Sequence, residues 1–368
     1  ALMFCRLPLL LAALAVCSSC SKPGLIYVED DQSDMPRPID LAGSTADLAG
    51  TMTMDMASAR DLASGYSCRG EDAPGKTYKL VMNSLTLPKS GGATFAYDFD
   101  GDGRTENQLK NLISAISIAG LDLQTPLSDA VSSGQIINLI SLTSDSVDTA
   151  ACVGVSLNQG KGGAFPKFDG SDVFTPVSPT GSPLSGTLAS AKLATAHSRV
   201  LTAVTESQFE LQISLGMGLL KLPLRGVQVE GSVQSGGPVW RMTSGVLHGV
   251  VAKKDIDDKL LPAVADQITA LIHSDPLSSN TRTIINLFES STDPVSVTKC
   301  MTPSRCCRLS PATCVILPEE VGRSPIGGVL SPDVEVLDDM GKWKPVPGGK
   351  NYNAMSVGLG FSAITASY

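Results

Sequence analysis

Aspartates occupy alternate positions in the stretch YDFDGDGRTEN, residues 97–107, which we call the acidic loop. Asp98, Asp100 and Asp102 precede Gly103, and this is the spacing of the first half of an oxygen-only calcium loop. A hard cation binds several carboxylate and carbonyl oxygens, and the glycine permits the sharp turn that brings those oxygens together. The sequence therefore predicts a calcium site here.

The predicted site is not an EF-hand, because position 12 of the loop is Leu109 rather than glutamate. Glu106 stands at position 9, so the nearest pattern is the DxDxDGxx[DE] loop of many extracellular proteins. The predicted ligands are four carboxylates and one backbone carbonyl, from Asp98, Asp100, Asp102, Glu106 and Arg104 respectively. The alternative interpretation is a solvated turn whose acidic residues cap the helix that follows.

A helix is predicted directly after the acidic loop. Apolar residues recur there at i, i+3, i+4 and i+7, which indicates an amphipathic helix with one buried face. These residues are Leu109, Leu112, Ile113 and Ile116. Because a strand is predicted to end near residues 95–97, a bound ion would set the angle between that strand and the helix.

The overall composition is that of a globular, acidic chain. Its 368 residues are 42% hydrophobic and 17% charged, which is enough apolar content for one large or two moderate cores. The formal net charge of -8 argues against nucleic acid as a partner, because phosphate-backbone binding needs clustered Lys and Arg.

We find no catalytic motif in the sequence. His197, His248 and His273 lie in no metal-binding motif and near no second ligand, and a lone histidine is usually structural. The acidic pairs at 319–320 and 338–339 are interpreted as solvated surface, because adjacent acids on a polar loop rarely flank a substrate. The sequence therefore does not favour an enzyme.

Residues 1–20 have the features of an export signal. Arg6 is followed by the apolar run LPLLLAALAV, which is too short to span a bilayer. The run ends in AVCSSC, which resembles the lipobox of bacterial lipoproteins, where a cysteine is acylated and becomes the mature N-terminus. Cys20 is the predicted lipidation site and Cys17 the alternative. Cleavage before Cys20 leaves six further cysteines, an even number suited to an oxidising compartment.

Residues 21–66 differ in composition from the rest of the chain and are predicted to form a disordered acidic tether. They contain eight acidic and three basic residues, a net charge of -5. The triplet DLA or DMA recurs at Asp40, Asp47, Asp55 and Asp61, but its irregular spacing argues against a coiled coil. A self-repelling segment of low complexity stays extended.

The lipobox, the DLA-rich tether and the DxDGDG loop together resemble an uncharacterised family of secreted lipoproteins of myxobacterial type. The stretches FDGDGRTENQL, DDKLLPAVADQITALI and SVGLGFSAITASY also look like parts of that family. The resemblance implies an exported lipoprotein at the outer membrane or cell surface, with its folded part in the periplasm or outside the cell. It implies no activity.

Residues 67–368 are predicted to be an α+β, mainly β region, with an antiparallel sandwich or barrel-like sheet and a few inserted helices. Short strands with turn signals between them are predicted at 209–215, 219–224, 227–233 and 245–251, which is the spacing of such sheets. The Gly-, Pro- and Ser-rich stretch 158–186 marks either a join between two subdomains or a long surface excursion.

Six cysteines of the folded region are predicted to form disulfides rather than a zinc site, because paired CxxC spacing and nearby histidines are missing. They are Cys68, Cys152, Cys300, Cys306, Cys307 and Cys314. Cys306 and Cys307 are unsuitable partners for each other, since α-carbons joined by a trans peptide are about 3.8 Å apart. Sequence alone leaves the pairing open.

The function that these features favour is an exported, lipid-anchored envelope protein, in which a calcium-stabilised module binds an unknown protein or polymer or has a structural role. One alternative is a secreted hydrolase acting on envelope or extracellular polymers. A second alternative is a carrier of lipids or small ligands, which the apolar strands at 211–224 suggest.

We expect the N-terminal peptide of the membrane-extracted protein to carry acyl chains on Cys20. Each buried acyl methylene contributes about 0.8 kcal/mol, so a multiply acylated cysteine is a stable anchor. Mass spectrometry of that peptide tests the expectation. An acyl mass on Cys17 would identify the alternative site, and no acyl mass on either cysteine would indicate a secretory signal cleaved without lipid.

Overall fold

The structure is a computed structural model that describes residues 73–89, 94–118, 122–163, 165–178, 182–189, 192–196, 208–214, 218–236 and 239–368. These residues all belong to one compact unit, 65–368. Some predictions fall outside the described residues, namely those on the signal segment 1–20 with Cys17 and Cys20, the tether 21–66, Cys68 and His197.

The described residues form one large antiparallel sheet. Its ten strands are β1 (Lys76–Thr86), β2 (Asn138–Ser144), β3 (Ala150–Lys161), β4 (Thr175–Pro176), β5 (Ser182–Ala189), β6 (Lys192–Ala196), β7 (Gln208–Ser214), β8 (Leu219–Gly236), β9 (Val239–Ala252) and β10 (Ala354–Thr365). They hydrogen-bond in the order β2–β1–β10–β9–β8–β6–β5–β3, and β3 pairs again with β2. The sheet is therefore ring-like, with β4 and β7 as side branches, and the predicted mainly β class is confirmed.

The stretch 158–186 lies within this one unit. β3 continues through it to Lys161, β4 pairs back on the end of β3, and β5 then pairs along β3 from Ser182. The described strands of this stretch therefore pair within the one large sheet.

β8 replaces two strands that the sequence separates at 219–224 and 227–233. Gly226 has a φ of 57°, and the ladder to β9 is irregular between Arg225 and Gln228. A bulge of this kind bends a strand without ending it. Pro223 is tolerated because the described pairing with β9 begins only at Arg225, so no ladder hydrogen bond is lost on that side.

Eight α-helices occur in the described residues: α1 (Gln108–Ile118), α2 (Gln124–Ser132), α3 (Lys253–Asp255), α4 (Leu261–Ser274), α5 (Ser279–Phe288), α6 (Pro294–Lys299), α7 (Pro318–Arg323) and α8 (Pro325–Val329). α1 matches the predicted amphipathic helix, and its Leu109 and Leu112 are buried. A π-helical turn, Ile256–Leu260, joins α3 to α4, and Pro262 lies in the first turn of α4. The helix therefore continues through Pro262, and the π-helical turn before it changes the local hydrogen-bond pattern where the proline N–H is missing.

The last strand, β10, separates two environments. Its residues Met355, Val357 and Leu359 belong to the main core, which sheet and helices build together. Ser356 and Gly358 alternate with them and face the opposite side, because successive side chains of a strand point to opposite faces. A smaller apolar cluster on that side includes residues of the acidic loop, of β9 and of the segment 334–337.

Two disulfides shape the disulfide segment, residues 300–314. Cys300 pairs with Cys306 and Cys307 with Cys314, with Cα–Cα distances of 4.6 and 4.9 Å. The adjacent cysteines thus have separate partners, as the length of a trans peptide requires. Cys152 is also disulfide-bonded.

A buried lysine joins the disulfide segment to the helices. Lys299 Nζ lies 2.7 Å from Glu289 Oε1 and 2.7 Å from Glu320 Oε2, and all three side chains are at most 3% exposed. Glu289 also accepts hydrogen bonds from the backbone N–H groups of Cys307, at 3.0 Å, and Arg308, at 2.8 Å. This carboxylate therefore holds the start of the second disulfide loop.

Glu320 completes the network and corrects one prediction. It accepts hydrogen bonds from Ser296 Oγ at 2.8 Å and from the Leu317 backbone N–H at 2.9 Å. The interpretation of residues 319–320 as solvated surface is wrong for Glu320, which is 1% exposed, and correct for the exposed Glu319. Glu320 is buried because Lys299, more than twenty positions away, neutralises it inside the fold.

We expect Lys299→Met to destabilise the protein by about 3–5 kcal/mol, because it leaves two carboxylates buried without their cation. Urea unfolding monitored by circular dichroism measures the change. Lys254→Met is the control, since Lys254 pairs with Asp258 on the exposed surface, and exposed pairs contribute little. Equal denaturation midpoints for the two variants would contradict the stabilising role of the network.

Candidate metal centre

The acidic loop is closed at its neck by two backbone hydrogen bonds. The N–H of Tyr97 donates to the carbonyl of Glu106 at 3.1 Å, and the N–H of Glu106 donates back to Tyr97 at 3.0 Å. Inside this neck, Gly101 and Gly103 have φ values of +78° and +86°. Residues with a Cβ rarely adopt such values, so the glycines permit the turn that the sequence predicts.

The three aspartates converge on one point. Asp98, Asp100 and Asp102 each present a carboxylate oxygen, and these oxygens lie within 4.8 Å of one another. Since calcium–oxygen distances are about 2.3–2.6 Å, two ligands of one ion can be at most about 5 Å apart. The spacing of the three carboxylate oxygens is therefore compatible with a shared cation.

Backbone N–H groups of the loop orient the carboxylates. Asp98 Oδ1 accepts from Gly101 at 2.7 Å and Oδ2 from Gly103 at 2.9 Å, while Asp102 Oδ1 accepts from Arg104 at 2.8 Å. A carboxylate offers about four lone-pair sites, so each of these groups keeps capacity for a cation. The contact of Arg104 in the described structure is this N–H donation, and its predicted carbonyl ligand remains a prediction.

The carboxylates of the loop repel one another. Burial raises the pKa of Asp100, and the nearby charges of Asp102 and Asp98 add to that rise. Burial and the charges of the three aspartates raise the pKa of Glu106 to about 7. Glu106 Oε2 is buried and has no hydrogen-bond partner among the described residues. A divalent cation would remove this repulsion and favour the ionised form of every group.

The described hydrogen bonds do not support the helix-capping alternative. The N–H of Gln108, the first residue of α1, donates to Ser356 Oγ on β10 at 2.8 Å. The hydrogen bonds that Asp98, Asp100 and Asp102 accept in the described structure come from the loop itself. The carboxylates therefore hold the turns of the loop. The first N–H of α1 is bound by Ser356 of β10 instead.

Asn107 attaches the loop to the sheet. Its side-chain amide donates to the carbonyls of Thr94, Phe95 and Gly358, and its Oδ1 accepts the N–H of Gly358 at 3.1 Å. A Cβ at Gly358 would lie 1.8 Å from the Phe95 carbonyl oxygen, so only glycine fits there. The local sequence does not mark Asn107 for this role, because its partner Gly358 lies about 250 positions away.

Asp333 is a further acidic group beside the loop. It accepts hydrogen bonds from the N–H of Ser356, at 2.7 Å, and from the hydroxyl of the same residue. Burial raises the pKa of Asp333, and the charge of Asp100 raises it further. Nothing in the local sequence marks Asp333, because only the fold brings it near the acidic loop.

His248 lies beneath the loop. It is 2% exposed, its ring centroid is 5.0 Å from that of Tyr97, and its Nδ1 has no partner among the described residues. Burial lowers the pKa of His248 to about 4, and a hydrogen bond with the Phe95 backbone opposes that shift. The imidazole is therefore enclosed, and burial favours its neutral form. His273, on α4, hydrogen-bonds through Nε2 to the Cys314 carbonyl at 2.7 Å.

Comparison with known proteins adds no further assignment. No family model matches the chain, and neither a curated protein nor a solved structure matches it. Among the described residues, no helix combines the length and the apolar character needed to cross a membrane. The site is therefore interpreted from its own geometry.

Glu106 in the loop and His248 beneath it have opposite effects on the pH dependence of stability. The pKa of Glu106 rises from 4.5 to about 7 on folding, so its contribution to the free energy of unfolding falls as pH increases through that window. The pKa of His248 falls from 6.5 to about 4, so its contribution rises between those values. For His248 this is at most on the order of 3 kcal/mol.

In the presence of a chelator, we expect Glu106→Gln to steepen the rise of stability between pH 4.5 and 6.5. We also expect the variant to be more stable than the wild type at alkaline pH, because it lacks the repelled charge. Urea unfolding across this pH range measures both effects. The control is Glu319→Gln at an exposed position. Parallel pH curves for wild type and Glu106→Gln would contradict the assignment.

Proposed function

We propose that this protein is an exported, lipid-anchored envelope protein whose folded region is a calcium-stabilised module with a binding or structural role. The observation that carries the proposal is the convergence of Asp98, Asp100 and Asp102 in a closed loop, with the carboxylate of Glu106, whose pKa their charges raise, beside them. Clustered carboxylates at this spacing are the ligand set that calcium prefers.

The position of the loop supports a structural ion rather than a catalytic one. Asn107 and Gln108, which follow the loop, hydrogen-bond to Gly358 and Ser356 of β10. Asp333 binds the same stretch of β10. A cation in the loop would therefore stiffen the junction between α1, β10 and the segment that begins at Asp333, because it cross-links groups already attached to that junction.

The proposal of export rests on the cysteines and on the N-terminal sequence. Disulfides persist in oxidising compartments and are rare in the cytosol. The bonds Cys300–Cys306 and Cys307–Cys314 fit that environment. Together with the signal-like segment 1–20 and the acidic tether 21–66, they favour a folded module presented at the outer membrane or cell surface.

The two alternatives receive less support from the described residues. A carrier needs an internal apolar cavity, and ligand pockets measure about 300–1,000 Å³. The enclosed apolar space among α1, α4, β7, β8 and β10 holds about 30 Å³, which is room for one water. A hydrolase needs a reactive pair in a cleft, and in the described structure His248 and His273 contact backbone groups rather than a serine.

We expect the full chain to bind calcium at a site that Asp100→Asn together with Asp102→Asn abolishes. Isothermal titration calorimetry measures binding, and thermal unfolding measures the linked stabilisation, about 2.7 kcal/mol at a calcium concentration of 100 times Kd. In chelator, the same double variant should be more stable than the wild type, because two repelling charges are gone.

The matched control is Asp338→Asn with Asp339→Asn, which removes the same charge from another part of the structure. This variant should keep the calcium-dependent rise in melting temperature. A wild type that takes up no calcium, or equal binding by both double variants, would refute the proposed site.

A further inference from the structure

An open cleft lies beside the disulfide segment, away from the acidic loop. Its volume is about 990 Å³, at the upper end of the range of about 300–1,000 Å³ for ligand pockets. α6, the disulfide segment and the residues up to the end of α7 form its walls. The lining residues that matter below are Lys299, Thr302, Arg305, Thr313, Val315 and Arg323. We call it the basic cleft.

The frame of the basic cleft is rigid. The disulfides Cys300–Cys306 and Cys307–Cys314 close two short loops of its wall. Lys299, whose side chain is 3% exposed, donates from Nζ to the Val315 carbonyl at 2.9 Å and so ties one wall to the other. A preformed cleft loses little conformational freedom when a ligand binds.

The charge of the cleft is opposite to that of the chain. The chain has a net charge of -8, yet the described lining contains Lys299, Arg305 and Arg323 and no carboxylate. Lys299 is neutralised by its buried partners. Arg305 is exposed, and its guanidinium has no partner among the described residues. Arg323 contacts Asp293 through a single nitrogen at 3.3 Å, so most of its five donors remain available.

The helix ends beside the cleft are already occupied. At α6, the Asp293 carboxylate accepts the Ser296 N–H, and Pro294 contributes no N–H. At α7, the Glu320 carboxylate accepts the Leu317 N–H. Among the described residues, each of these helix ends thus already has an acidic side chain at its N–H groups, which disfavours a bound phosphate there. The remaining anion-binding groups are the two arginine side chains, whose planar forks match a carboxylate.

The rest of the lining fits a polypeptide better than a sugar. The hydroxyls of Thr302, Ser304 and Thr313 have no hydrogen-bond partner among the described residues, and Val295 and Val315 add apolar surface. No aromatic side chain is part of the described lining, although sugar-binding sites commonly use aromatic faces. Unpaired hydroxyls can bond the backbone of an extended peptide.

We propose that the basic cleft binds an extended acidic peptide segment of a partner protein, whose carboxylates pair with Arg305 and Arg323. The site is separate from the acidic loop, because no residue of 97–107 lines the cleft. The inference therefore does not rest on calcium binding. It specifies the chemistry of the partner, which the proposed binding role of the module leaves open.

The test uses the full chain and a fluorescein-labelled oligoglutamate peptide at low ionic strength, with fluorescence anisotropy as the readout. Arg305→Gln and Arg323→Gln should each weaken binding about tenfold, the size of one charge-assisted contact. Arg305→Lys should restore part of the affinity, since it keeps the charge and lacks the fork. Added salt should weaken binding further.

The matched control is Arg282→Gln, which removes an exposed arginine of α5 that does not line the cleft. It should bind the peptide as the wild type does. Equal weakening by this control would show diffuse charge attraction and overturn the proposal. Absence of peptide binding would also overturn it, and so would tighter binding of inorganic polyphosphate with the same dependence on Arg305 and Arg323.

Discussion

The pairing of β10 with two partners is the constraint on which the rest of the structure depends. This strand comes from the end of the described chain, yet it hydrogen-bonds to β1 along one edge and to β9 along the other. The ring closes only because β10 fits between them. Its Gly358 leaves room for Phe95 and Asn107, so the strand that closes the ring also seats the acidic loop.

Charged groups are used in two contrasting ways. Around Lys299, two buried carboxylates have a cation and several N–H or O–H donors, so each charge of this network is satisfied. In the acidic loop, four carboxylates lie close together and no cationic side chain contacts them in the described structure. The first arrangement is a self-sufficient structural network, whereas the unneutralised repulsion of the second is the reason for proposing a cation there.

The proposed calcium loop and the basic cleft place opposite charges at separate sites of one rigid unit. The loop is attached to the junction of α1 and β10, so the proposed ion would affect stability. The cleft presents guanidinium groups on a wall that two disulfides cross-link, so it is proposed to recognise a partner. The proposed ion and the proposed partner would thus bind at different places on the module, so a change at one site need not abolish the other.

The sequence by itself determined the features that depend on near neighbours: the aspartate spacing of the acidic loop, the amphipathic period of α1 and the mainly β class. Periodicity and turn chemistry act over a few residues, so they can be read locally. The continuous β8, the cysteine pairing and the burial of Glu320 were decided by tertiary structure. Each depends on contacts between residues far apart in the chain. Lys299 neutralises Glu320, and Ser356 hydrogen-bonds both to the first residue of α1 and to Asp333. No local pattern encodes such contacts.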